Sequence, residues 1–115
     1  MKAPIILLTV FCSMALAQSQ AFAEPKWTFC VASQLGANDV WITEVFAAPV
    51  DRERLETELK SVLARQGHAR VDAQCPQPSA DKVAVVNAQT MAEEFNRKLG
   101  SVLHDLPAHD FPPRQ

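Results

Sequence analysis

Glycine is scarce, with three in 115 residues, and none of them falls in a phosphate-cradling loop. The chain also has no Gly-x-Ser-x-Gly elbow and no His-Glu-x-x-His helix, so the common nucleophile and zinc-hydrolase signatures are missing. Neither sign of charge is in excess: 11 basic residues stand against 13 acidic ones. That balance gives no reason to expect nucleic acid or an anionic membrane surface as partner. Beyond the first 23 residues there is no long apolar run, no repeat, no low-complexity block and no interdomain linker.

The first 23 residues have the features of an export signal. Lys2 precedes an apolar stretch from Ile5 to Ala17, which Gln18-Ser19-Gln20 interrupts before it is long enough to span a bilayer. Ala21 and Ala23 put small residues at the minus-three and minus-one positions, predicting cleavage after Ala23. A lipoprotein signal centred on Cys12 fits poorly, because the bulky Phe11 stands where such signals carry a small residue. The expected division is a cleaved signal at 1–23, one small domain at 24–106 and a flexible Pro-containing tail at 107–115. The expected location is the bacterial periplasm or the outside of the cell, with no membrane span after cleavage.

Removing 23 of the 115 residues leaves 92, with 10 basic and 13 acidic residues once Lys2 is gone. A domain of that size buries only about 60 to 65 per cent of its unfolded surface, so a covalent staple helps it. Cys30 and Cys75 are the two cysteines left, and an even pair in an exported domain reads as a disulfide. A redox-active pair wants its cysteines close together at a helix start, and these lie far apart.

Two stretches carry the pattern of strands. Trp27 to Ser33 alternates Trp27, Phe29 and Val31 with Thr28, Cys30 and Ala32; Val40 to Ala47 is apolar on both faces apart from Thr43 and Glu44. Gly36, Asn38 and Asp39 between them turn the chain back antiparallel. Pro49 ends the second strand, and Asp51 caps a helix over Arg52 to Gln66, with Leu55, Leu59, Val62 and Leu63 on one side and Gly67 as its stop. His68 to Gln74 alternates again and predicts a third strand, closed by Cys75 and Pro76. A second helix begins at Ser79 or Ala80. Val83, Val86, Met91, Phe95, Leu99 and Val102 keep one of its faces apolar, and Gly100 ends or weakens it before Leu103 and Leu106.

The order strand, strand, helix, strand, helix predicts a small α+β fold with one disulfide, most economically a two-layer sandwich with both helices on one sheet face. The second strand has no convincingly polar face. Either one helix crosses to the far side or an apolar patch stays uncovered. If Cys30 and Cys75 join neighbouring strands, Cys75 belongs with Val71 and Ala73, which puts Thr28, Cys30 and Ala32 on the helix side of the sheet and Trp27, Phe29 and Val31 on the open side. The candidate binding surface is therefore Trp27, Phe29, Val31, Trp41 and Val45.

Catalytic groups are not evident. Glu44 is the one titratable group on an apolar strand, and Glu93 and Glu94 are adjacent and point apart. His104-Asp105 and His109-Asp110 repeat a His-Asp pair; if a metal were held, His104, His109 and Asp110 would be its ligands, but the chain shows no dedicated metal or cofactor motif. In element order, the alternation of strand and helix around Ala69 to Ala73 resembles the peptidoglycan-binding SPOR module, also a small exported α+β domain. The likeness implies cell-wall glycan as a partner and transfers no site residue. The resulting expectation is a non-catalytic binding or accessory protein of the cell envelope, its partner another protein or a second copy. The rival readings are a metal-binding or enzymatic role for the tail and a chaperone-like stress protein.

Overall fold

Two aspartates start the two helices. Asp51 sits in extended backbone and its side chain accepts from the Arg54 amide at 2.9 Å, opening α1 (Arg52–Arg65). Asp81 accepts from the Ala84 amide at 3.1 Å and opens α2 (Lys82–Lys98). Each carboxylate satisfies an amide that has no partner inside the helix and sits at the positive end of the helix dipole. Gly67 and Gly100 follow the helices with φ of 96° and 87°, left-handed backbone that glycine adopts without a Cβ penalty. The computed structural model describes residues 24–48, 51–107 and 109–111. The export signal at 1–23, the strand stop at Pro49 and the end of the tail at 112–115 lie outside the described residues.

The hairpin expected from the sequence is present, with each of its strands broken in two. β1 (Trp27–Thr28) pairs antiparallel with β4 (Phe46–Ala47), and β2 (Val31–Gln34) pairs antiparallel with β3 (Asp39–Thr43). At the break the buried Thr43 hydroxyl accepts from the Cys30 amide at 2.8 Å, while the Thr43 amide donates to the Cys30 carbonyl at 3.0 Å. A side-chain oxygen thus takes a place in the ladder, and the pairing is interrupted without leaving that amide unpaired. The Thr28 hydroxyl, also buried, donates to the Pro76 carbonyl at 2.9 Å and ties β1 to the chain after the third expected strand.

That strand is β5 (Val71–Gln74), antiparallel to β2. A further strand, β6 (Val102–Leu106), pairs parallel to β3 and completes the order β5-β2-β3-β6. Its Val102, Leu103 and Leu106 also fit the helical spacing of α2, which hid it in the sequence. Gly100 settles the matter by turning the chain, and the Ser101 amide donates back to the Asn96 carbonyl at 3.0 Å.

Residue alternation sorts the side chains into two cores. Ala32, Trp41 and Ala73 face α1, whose Leu55, Leu59 and Leu63 are fully buried, and the Cys30–Cys75 disulfide lies in the same cluster. Phe29, Val40 and Ile42 face the other way, against Val85 of α2. Cys30, Ala32, Ala73 and Cys75 share a side, as drawn from the disulfide, and the α+β class and the order of the five expected elements hold; the side of Trp27, Phe29 and Val31, expected to be open, is covered by α2. The layering differs from the two-layer arrangement: α2 crosses to the far face, the other alternative left by the strand pattern. Connection handedness explains it. The step β3-α1-β5 moves one way across the sheet and β5-α2-β6 moves back, so two crossovers of the same hand must place their helices on opposite faces.

The chain after Leu106, expected as a loose tail, packs back as far as Phe111. That ring is 1% exposed and meets Phe46 edge-on at 5.6 Å between centroids. Among the described residues no helix is long and apolar enough to cross a membrane.

Candidate functional site

The residues of the expected binding surface do not form one patch. Phe29 and Trp41 are both buried and lie on opposite faces of the sheet, Phe29 under α2 and Trp41 under α1. Trp27, Val31 and Val45 are half-buried around the α2 core. Trp27 carries the Lys82 ammonium 4.3 Å from its ring centroid. The apolar character of both faces of β3 is thus satisfied by a helix on each side. Two of the five residues are therefore core and three are half-buried beside it, which corrects their reading as one exposed surface.

The histidines are drawn to Trp41 instead of to one another. Its ring has His68 at 4.7 Å on one side and His104 at 5.3 Å, nearly parallel, on the other. The His104 Nε2 lies 2.8 Å from Asp39 Oδ1, which links the first residue of β3 to the middle of β6. Asp105, the next residue, points to the opposite side of β6, where it borders a cavity with Ile42, Glu93 and Arg97. His109 and Asp110 sit 3.5 Å apart with His109 largely exposed. The two His-Asp pairs are therefore not assembled into one site. Among the described residues no three His, Cys, Asp or Glu side chains gather where a metal ion could be held. Glu44, the titratable group of the second strand, is exposed at the break between β3 and β4.

A groove of about 600 Å³ runs beside β5, with Phe29 and Val31 in its floor, Ala92 of α2 on one wall, and Arg52 and Lys60 of α1 near the strand's free edge. Glu56 also lines it, but its carboxylate is engaged by the Cys75 amide at 2.9 Å, which caps the end of β5.

The feature the sequence did not reveal is the outer face of α2. Met91, Phe95 and Leu99 are 67%, 61% and 65% exposed. They were expected to be the covered side of this helix, together with Val83 and Val86, and both of those are exposed too. The inward side is instead Val85 and Ala92, with Gln89 donating from Nε2 to the Thr43 carbonyl at 2.7 Å. Small and polar residues at these positions let the helix sit close to the interrupted hairpin, where Gln89 reaches the Thr43 carbonyl. Two apolar stripes therefore exist on α2, and only one is used by the fold. The wider and larger stripe drew the prediction; the polar Gln89 within the inward stripe was the signal against it.

Ala84, Ala88, Met91 and Phe95 follow one another at spacings of four, three and four, and Leu99 comes four later. This is the seam spacing by which one helix packs on another. The site that fold and geometry define is thus an uncovered helical seam on a small disulfide-linked α+β domain. Compared with known families, curated proteins and solved structures, the chain matches no family model, no curated protein and no solved structure.

Proposed function

We propose that this chain is a small exported binding or accessory protein of the bacterial cell envelope, which acts without catalysis by holding a protein partner against the outer face of α2. The carrying observation is the run of Met91, Phe95 and Leu99, each more than 60% exposed on one side of a single helix. Isolated exposed apolar residues are ordinary, whereas three large ones along one side of one helix make a contiguous patch, and the largest such patch on a small protein is often its functional surface. The export part of the reading is supported by the signal-like first 23 residues and by a disulfide of the kind that persists in oxidising compartments. A protein partner fits better than glycan, because the exposed groups are aliphatic side chains and one phenyl ring at helical spacing.

A photo-crosslinking residue at Phe95, introduced into the protein in the cell that makes it, tests this. Adducts to protein are expected at Phe95 and not at Glu53, on the far side of the molecule. An absence of adducts at Phe95 in folded protein would refute the binding role. N-terminal sequencing of the recovered protein checks the export step, with Glu24 as the expected first residue.

A further inference from the structure

We infer that the seam on α2 is a two-fold interface whose occupant is a second copy of this chain, with the two α2 helices running antiparallel. The inference rests on the reading of this face as the binding surface and says what covers it. The argument comes from the order of sizes along the seam. Its first half carries Ala84 and Ala88, its second half carries Phe95 and Leu99, and Met91 stands between them. A two-fold contact brings residue i against residue j and j against i. Antiparallel helices related by a two-fold axis between Met91 and Ala92 set Phe95 over the partner's Ala88 and Leu99 over the partner's Ala84, so each large side chain enters the space left by a small one. A parallel pair would put phenyl on phenyl and leucine on leucine, and would leave the alanines facing each other across a gap.

Charge agrees with the same direction. Lys98 lies one heptad beyond Met91 on the rim of the seam, in a last helical turn that also carries Arg97. In the antiparallel pair the Arg97 and Lys98 end of each helix is kept at the opposite end of the contact from that of its partner. In the parallel pair the two Lys98 ammonium groups would meet. The helix dipoles likewise oppose one another only in the antiparallel arrangement.

The area sets the strength. Met91, Phe95 and Leu99 are 61% to 67% exposed. With roughly 150–200 Å² for a fully exposed side chain of this size, and with the two alanines added, the seam offers about 400 Å² per copy. A pair would bury about 800 Å² in total, half of the roughly 1,600 Å² of a standard stable interface, which places it among weak, reversible associations. Dissociation in the range of tens to hundreds of micromolar is the expected result, on the order of −5 to −6 kcal/mol.

Sedimentation equilibrium of the purified protein between about 10 µM and about 1 mM, a range that brackets this affinity, reads the association directly. The average mass is expected to rise from the monomer toward twice that value, and Phe95→Ser to remain a monomer with an unchanged circular dichroism spectrum. Met91→Lys serves if Phe95→Ser fails to fold. Under mild oxidation, Ala84→Cys protein mixed with Leu99→Cys protein should crosslink, and Leu99→Cys alone should not. A wild-type monomer across the whole range overturns the dimer, and if Phe95 still crosslinks to a foreign protein in cells the binding-face reading survives. A dimer indifferent to both Phe95→Ser and Met91→Lys overturns the inference at this surface. Self-crosslinking of Leu99→Cys as fast as the mixed pair overturns the antiparallel arrangement.

Discussion

The two faces of the central sheet are closed by helices of similar length to very different degrees. On the α1 side, three fully buried leucines, Trp41 and the disulfide form one continuous cluster that reaches Phe46, Leu106 and Phe111. On the α2 side, the buried cluster is Phe29, Val40, Ile42 and Val85, and the largest apolar residues of the helix point outward. One helix is spent on holding the sheet together. The other contacts the sheet through small side chains and a glutamine, and keeps its bulk for solvent or a partner. A domain this small has little apolar material to spare, so an unused stripe of three large residues is costly in solubility unless something covers it.

That contrast makes the expected order of effects plain. Removing the disulfide, by Cys30→Ser with Cys75→Ser, should act most strongly: the bond closes a separation of 45 residues, worth about 4 kcal/mol in the chain-entropy estimate. Urea unfolding with and without reductant measures it, and a loss below about 1 kcal/mol would mean that the α1 core needs no staple. Trp41→Ala comes next, at about 3 to 5 kcal/mol, because the ring is buried and flanked by two imidazoles. Trp27→Ala, half-buried and with only Lys82 over its ring, should cost clearly less in the same titration. Equal losses at the two tryptophans would erase the difference between the faces. The smallest effect belongs to Phe95→Ser, expected within about 0.5 kcal/mol at concentrations where the protein is monomeric. A large loss there would show that the outer side of α2 serves the fold.

Much of the skeleton was legible in the chain because it rests on local rules. Asp51 and Gly67 bracket α1, the 2-residue alternation marks β2 and β5, and the cysteine pair, argued from compartment and parity, places Ala73 and Ala32 on one side. Boundaries moved where a side chain competed with its neighbours: α2 starts at Lys82 because the Asp81 carboxylate takes the Ala84 amide, with Ser79 Oγ in turn accepting from the Asp81 amide at 3.0 Å. The candidate site was misplaced for a reason that also lies in the residues. Trp27, Phe29 and Trp41 are the conspicuous aromatics, and aromatic groups dominate cores as well as interfaces. Met91, Phe95 and Leu99 looked like ordinary core positions on an amphipathic helix. Periodicity shows that a helix has an apolar face and is silent on whether the domain has a surface to receive it.

By itself the sequence determined the two helices, the three expected strands and their order, the link between Cys30 and Cys75, and which residues of the first and third expected strands share a side, since capping, alternation and cysteine parity act over short distances or need no geometry; beyond the break in the second strand the alternation fails, and Phe46 joins Trp41 while Val45 joins Ile42. Tertiary structure alone decided the rest. The return step from β5 to β6 sends α2 to the opposite face and seats β6 beside β3, and the break at Thr43, whose carbonyl meets Gln89, turns the narrow stripe of α2 to the sheet. The side of that helix left facing solvent follows from connection handedness and from the Thr43 carbonyl met by Gln89; the glutamine marks the inward stripe in the sequence, but the carbonyl that it meets is placed only by the fold.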